Sequence, residues 1–227
     1  MTWVDTLPDS PRVGYSQNGE EGVLEAIFAG IGPGDRYLVD LGAGDGKTLS
    51  NTLALLEDGW IGLRFDRNGT SDGLGVNAAN ITYESILPLL DSFGVPRNLD
   101  LLSLDLDGND FYILRKILRA KFRPRVMVVE FNPTLPEEPP VAIVYHPEHT
   151  FDSTNYFGAS LGAFRRVCAA HGYCLVRILA GYNAFFVRDE LVPFGERPRI
   201  EWTPFQAWPV DPHSRPWHML TEAECSA

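Results

Sequence analysis

Tyr37-Leu38-Val39-Asp40-Leu41-Gly42-Ala43-Gly44-Asp45-Gly46 sets three glycines at alternate positions behind a short apolar run. Residues 37–39 read as a buried strand, the glycines as a turn, and Lys47, Thr48 and Ser50 as the opening of a following helix. Glycine lets a backbone approach a ligand closely and adopt φ values that a Cβ forbids. Asp40, at the strand end before Gly42, adds a fixed negative charge and a hydrogen-bond acceptor. That combination suits a ligand with a cationic or hydroxyl-rich portion better than a pyrophosphate. The dinucleotide fingerprint G-x-G-x-x-G is not met, because the third glycine comes one place early and Lys47 takes the position the fingerprint needs. A phosphate-binding lysine loop fails too, since no G-x-x-x-x-G-K-[ST] run surrounds Lys47.

Downstream, Leu49, Leu53, Leu55 and Leu56 predict a helix that stops at Gly59. Residues 60–65 then read as a second strand ending in Asp66. This acid lies 20 residues beyond Gly46, where Rossmann-like folds place a carboxylate that accepts from the ribose hydroxyls. The competing reading is a surface turn, since Asp66-Arg67-Asn68-Gly69 also has loop chemistry. Upstream, Asn18-Gly19-Glu20-Glu21 has the form of a capping box. Val23, Leu24, Ile27 and Phe28 follow at helical spacing, and Gly30, Gly32 and Pro33 end that helix.

The D-x-G-x-G-x-G run from Asp40 to Gly46 resembles the S-adenosylmethionine-dependent methyltransferases of the Rossmann-like class. Tyr15-Ser16-Gln17-Asn18-Gly19-Glu20 is similar to the lead segment of their FkbM-like branch. The resemblance covers most of residues 15–190. It implies an α/β fold: a seven-stranded, mostly parallel sheet with helices on both faces and an antiparallel last strand. It also implies S-adenosylmethionine as cofactor. The expected cofactor residues are Gln17, Asp40, Gly42, Gly44, Gly46, Asp66 and Asp105, with Tyr83 or Glu84 beside the adenine.

Residues 68–80 are rich in Gly, Asn and Ser and read as a loop, residues 80–83 as a short third strand, and residues 86–93 as a helix. Residues 99–110 begin as a buried strand and end with Asp105, Asp107 and Asp110. Asp105 and Asp107 share a face if the strand continues through them. Gly108 then turns the chain, and Asn109 or Asp110 caps a helix over residues 111–120. An EF-hand is excluded, because Asp110 occupies its glycine position and Lys116 the place of its bidentate Glu. Residues 125–130 form another buried strand, with Glu130 and Asn132 two apart at its end.

In the methyltransferase fold these two strands are neighbours, and ligands bind beyond the carboxyl ends of strands. Asp105, Asp107, Glu130 and Asn132 thus converge as oxygen donors suited to Mg²⁺. Sugar and catechol O-methyltransferases place acids at the same strand ends; the Glu-x-Asn here departs from their adjacent pair. A metal-free version gives the proton to His146 or His149. Asp107 and Asn132 take part in either.

Residues 133–157 are long, polar and proline-rich and read as a substrate-side insertion. A helix over 160–170 and a hairpin around Gly181 complete a domain spanning 1–190. The extension 191–227 holds six of 17 prolines and three of five tryptophans. Trp202, Trp208 and Trp217 must bury their rings, by packing on the sheet, by covering the site, or in a homodimer.

At 227 residues the chain suffices for one domain that buries roughly 70% of its unfolded surface. Cys168, Cys174 and Cys225 have neither redox nor zinc spacing and read as free thiols. A net charge of −11 disfavours polyanions, so nucleic acid is not expected, and no apolar run spans a bilayer. The first residues lack a signal-peptide layout, which makes cytoplasmic residence the expectation. The function expected is methyl transfer to a small-molecule hydroxyl in specialised metabolism. Two alternatives remain: a non-methyl reaction such as cyclisation of the cofactor's aminobutyrate arm, and a non-catalytic binding module.

Overall fold

Five strands, β1 (Tyr37–Leu41), β2 (Ile61–Asp66), β3 (Val76–Ala78), β4 (Leu101–Leu104) and β5 (Val126–Glu130), run parallel in the computed structural model. The structure describes residues 2–9, 11, 13–70 and 75–226. With β7 (Tyr173–Leu179) and β8 (Asn183–Arg188) the sheet has seven strands in the order β3-β2-β1-β4-β5-β8-β7. Strand β8 is antiparallel to both neighbours. This is the mostly parallel α/β sheet with an antiparallel last strand that the sequence resemblance implies.

Side chains alternate across the sheet, as the strand period of two requires. Val39, Leu41, Leu102, Leu104, Met127 and Val129 face one core. That core is closed by α3 (Ile86–Ser92), α4 (Asp110–Arg119) and α5 (Leu161–Ala170). Leu38, Leu101, Val126 and Val128 face the other, closed by α1 (Glu20–Ile31) and α2 (Leu53–Glu57). Burial on both faces explains the near-continuous apolar runs of β4 and β5. Among the described residues no helix is long and apolar enough to cross a membrane.

Several local expectations need correction. The glycine turn does not feed a helix directly: residues 47–52 are irregular and α2 begins only at Leu53. The cause is Asp45, whose carboxylate accepts from the Lys47 and Thr48 amides at 2.8 and 2.6 Å and from the Thr48 hydroxyl at 2.6 Å. Such local side-chain bonds compete with helix formation. Strand β3 lies at 76–78, inside the expected loop, of which 71–74 fall outside the described residues. No strand forms over 80–83; a turn covers 83–85, with the Thr82 amide donating to Ser85 Oγ at 2.9 Å.

The capping box at Asn18 does not form either, since Gly19 is the N-cap of α1. Glu21 instead collects the Gly14 amide, the Ser16 hydroxyl and, at 2.7 Å, the Tyr15 amide. It therefore ties down the chain that precedes the helix.

The region 133–157 contains a short strand, β6 (Val141–Ile143), paired antiparallel with β9 (Trp217–Met219). All three tail tryptophans pack back on the molecule. Trp202 meets Phe131 at 5.0 Å between centroids, Trp208 meets Phe157 at 4.8 Å, and Trp217 meets Tyr156 at 5.0 Å. The closing helix α6 (Glu222–Cys225) is held by a capping box between Thr221 and Glu224.

Candidate functional site

From β1 the chain moves to β2 on one side and later returns to β4 on the other, so the carboxyl ends of β1 and β4 open a crevice. Open parallel sheets bind ligands at such a switch point. A cavity of about 630 Å³ lies there.

Its floor is the glycine turn. Gly42 has φ 92°, and a Cβ on it would stand 1.6 Å from the Asp105 carbonyl oxygen. Only glycine lets the turns after β1 and β4 pack this closely. The Gly42 and Ala43 amides donate to the Phe65 carbonyl at 2.9 and 3.0 Å, and the Asp105 amide donates to Leu41 at 2.9 Å. Three strand ends are thereby locked together. Gly44 and Gly46 also have positive φ. The Gly44 amide donates to Asp66 Oδ2 at 3.1 Å, so the acid at the end of β2 reaches across to the glycine turn.

Asp40 is buried, and its Oδ2 accepts from the Thr52 hydroxyl at 2.7 Å. Burial raises its pKa, while hydrogen bonds from Thr52 and Ser103 work the other way. Gln17, Asp40, Gly42, Gly44, Asp66 and Asp105 all line the cavity. Gly46, Tyr83 and Glu84 do not; the Gly46 carbonyl accepts from Arg64 instead. The Tyr83 amide donates to the Tyr145 hydroxyl at 2.9 Å, and that hydroxyl donates to Glu84 at 2.8 Å. The Lys116 ammonium lies 4.0 Å from the Tyr83 ring centre. These residues form a cluster outside the cavity, whose wall on that side is Ala79, Asn80 and Ile81.

Across the cavity, Asp105, Asp107 and Glu130 each offer a carboxylate oxygen, all within 4.8 Å of one another. The strand is not what aligns the two aspartates. It ends at Leu104, and Asp107 is held at φ 55°. The turn is shaped by buried Asp110, which accepts from the Leu106 amide at 2.7 Å and the Gly108 amide at 2.9 Å. Burial lifts Asp110 to about 6 despite those amides. Burial, then the neighbouring Asp107 charge, pushes Asp105 well up; burial, then Asp105, does the same to Glu130. Among the described residues no ion pair reaches these three acids.

Asn132 does not join them. Its amide donates to the Asn155 and Phe157 carbonyls, both at 2.8 Å. Its oxygen accepts from the Thr134 amide at 2.9 Å and the Thr134 hydroxyl at 2.6 Å. All four hydrogen-bonding positions are used, so this side chain anchors the loop above the sheet.

The two histidines part ways. His146 is exposed and outside the cavity wall, and its Nδ1 accepts from the Glu148 amide at 3.2 Å. His149 lines the cavity against Gly108, with Nε2 shielded from solvent and free of a partner. Burial, followed by the nearby Arg215, holds its pKa below the usual imidazole range. The neutral ring can accept a proton.

Sequence reasoning missed Thr48, Ser50, Asn51, Arg67 and Phe151 in the wall. The polar triplet Ser50-Asn51-Thr52 inside a supposed helix was the available signal. For Trp208 covering the site was one of three alternatives left open, and the structure places it in the wall.

No protein-family model and no curated protein matches the chain. Among solved structures it is similar to the MycE methyltransferase from the mycinamycin biosynthetic pathway, in complex with Mg, SAH and mycinamycin VI. The identity is 15% and the TM-score 0.37, over 81% of this chain and 62% of that one. The chain thus spans less than two thirds of that protein's length, and a likeness at this level carries no residue role across.

Proposed function

We propose that this protein is an S-adenosylmethionine-dependent methyltransferase of the FkbM-like kind, acting on a hydroxyl of a small molecule with Mg²⁺ in its site. One observation carries the reading. A single cavity holds the glycine turn with Asp66 on one side and the Asp105–Asp107–Glu130 cluster on the other. An all-oxygen donor set suits a hard divalent cation. A cation would also relieve the mutual repulsion that raises the pKa values of Asp105 and Glu130.

When bound, S-adenosylmethionine supplies an electrophilic methyl on a sulfonium, and Mg²⁺ supplies a Lewis acid for the acceptor oxygen. Asp66 accepts from the ribose hydroxyls while keeping the Gly44 amide in place. Asp40 and Gln17 face the aminobutyrate end. Asp105, Asp107 and Glu130 would hold the metal, each offering one carboxylate oxygen. Pro147, His149, Thr150 and Phe151 of the loop would wall the acceptor side. His149, whose ring lines the cavity and is held neutral by burial, would be the group on this chain to take the proton that the acceptor hydroxyl must lose. Positioning and proton removal are the two contributions required of the chain.

Titration calorimetry with S-adenosylhomocysteine tests this. Micromolar binding that weakens about 10- to 100-fold in Asp66→Ala is expected, from loss of charged hydrogen bonds. A separate Mg²⁺ signal should vanish in Asp107→Ala. No binding of S-adenosylhomocysteine under any condition sinks the reading.

A further inference from the structure

The acceptor-side wall has a character of its own. Phe151, from the loop, and Trp208, from the tail, both line the cavity, with centroids 6.0 Å apart and planes at 89°. Each is backed by further rings. Trp208 lies 4.8 Å from buried Phe157 and 5.3 Å from Tyr182, and Phe151 lies 5.5 Å from Phe157. Tyr182 ties this wall to the acids, because its carbonyl accepts from the Phe131 amide at 2.7 Å, one residue past Glu130.

The wall is also fixed in place. The Asn155 amide donates to the Pro209 carbonyl at 2.8 Å, and the Asp211 amide donates to Asn155 Oδ1 at 2.8 Å. Arg215 bridges Asp152 at 2.7 Å and Asp211 at 3.0 Å. Loop and tail therefore present Phe151 and Trp208 as one preorganised surface.

On this side the polar side chains that reach the cavity are Asn109, His149 and Thr150. Asn109 lines the cavity, yet its amide donates to the His146 carbonyl at 2.8 Å and its oxygen accepts from the His146 amide at 3.4 Å. Pro147 adds further apolar surface. The charge is one-sided. Asp40, Asp66, Asp105, Asp107 and Glu130 line the cavity, and Arg67 is the lining cation among the described residues. Its guanidinium already donates to the His149 carbonyl at 3.3 Å.

We infer that the acceptor is an uncharged molecule carrying a flat aromatic ring next to its reactive hydroxyl, and that Phe151 and Trp208 select it. The inference rests on the methyltransferase reading and narrows its substrate class. A hydroxyl-rich sugar would find few free polar side chains beside Phe151 and Trp208, and an anion would find no cationic side chain there to pair with among the described residues.

The test uses the full chain saturated with Mg²⁺ and S-adenosylhomocysteine. Three probes are titrated by calorimetry: 2,3-dihydroxynaphthalene, its 6-sulfonate, and methyl glucoside. The naphthalenediol should bind at least about tenfold more tightly than either competitor. Its affinity should fall about tenfold in Trp208→Ala, as loss of an aromatic contact surface predicts, and recover in Trp208→Phe. Thermal melts establish that each variant is folded, and Phe151→Leu replaces any that is not. Equal affinity for the glucoside or the sulfonate overturns the inference. So does an unchanged affinity in the folded variants, or no naphthalenediol binding while S-adenosylhomocysteine binds. Failure of S-adenosylhomocysteine itself to bind overturns the underlying function instead.

Discussion

The two halves of the cavity handle their carboxylates in opposite ways. Beyond β1 and β2 each acid has local donors. Asp45 holds the Lys47 and Thr48 amides, Asp66 those of Gly44 and Asn68, and Asp40 the Thr52 hydroxyl. Beyond β4 and β5, Asp105, Asp107 and Glu130 face one another with oxygens inside 4.8 Å. Both halves sit at strand ends of one sheet, so the sheet alone does not cause the difference; the left-handed turn at Asp107 contributes to it. The first half is complete before any ligand arrives. The second is an electrostatic conflict that protons or a cation must resolve, a state retained chiefly where a function needs it.

Breaking the join between the halves should have the largest effect. Gly42→Ala would place a Cβ 1.6 Å from the Asp105 carbonyl, backbone against backbone, at φ 92°. About 4 kcal/mol or more of stability should be lost, seen as a collapse of the urea midpoint. A variant of wild-type stability would mean that the two turns do not pack as described.

The second experiment isolates the acid half. In the unfolded chain these carboxyls titrate near ~4; burial and like charges raise them in the folded state. Between the unfolded and folded values the folded protein binds more protons, so this group's contribution to stability falls as pH rises through that window. Asp110, at about 6, contributes in the same direction. Asp105→Asn removes one of the competing charges. In chelator it should match wild type near pH ~4 and exceed it by about 1–2 kcal/mol at neutral pH. Mg²⁺ should raise the Tm of the wild type and leave that of the variant unchanged. A gap that closes with rising pH would contradict the conflict.

Sequence legibility followed the same division between local and non-local causes. The strands were readable because Leu38 and Val39, or Val128 and Val129, bury into opposite cores. The helix start at 47–52 was misjudged because Asp45 reaches its own following amides, which apolar spacing does not register. Strand β3 has three residues at a sheet edge and pairs only with β2, too little to stand out from the loop around it. The convergence of Asp105 and Asp107 was foreseen for the wrong reason, since a left-handed turn rather than strand alternation aims Asp107. Asn132 could not be judged, because its partners at 155 and 157 arrive from a loop whose course the sequence does not encode locally. For Trp208 the sequence left three fates open, and the choice falls to non-local packing of the tail on Phe157 and Tyr182.

The remaining effects are smaller and concern what braces each half from outside. Arg215→Ala releases Asp152 and Asp211, and should speed limited proteolysis within residues 193–214 without altering Mg²⁺ binding. Wild-type protease resistance would show that the aromatic packing of Trp208 alone secures the tail.

Tyr112→Phe should be milder still. The Tyr112 hydroxyl donates to the Ile143 carbonyl at 2.8 Å and lies 2.8 Å from His218 Nδ1, fastening α4 to the β6–β9 pair. Losing one neutral hydrogen bond costs about 1 kcal/mol, read as a small drop in the denaturation midpoint. Tyr112 lines neither half of the cavity, so S-adenosylhomocysteine and Mg²⁺ affinities should stay within error. Weakened Mg²⁺ binding would carry more information than the stability loss. Asp110 begins α4 and shapes the turn that bears Asp107, so such a result would mean that the tail strand sets the geometry of the acid half through this helix.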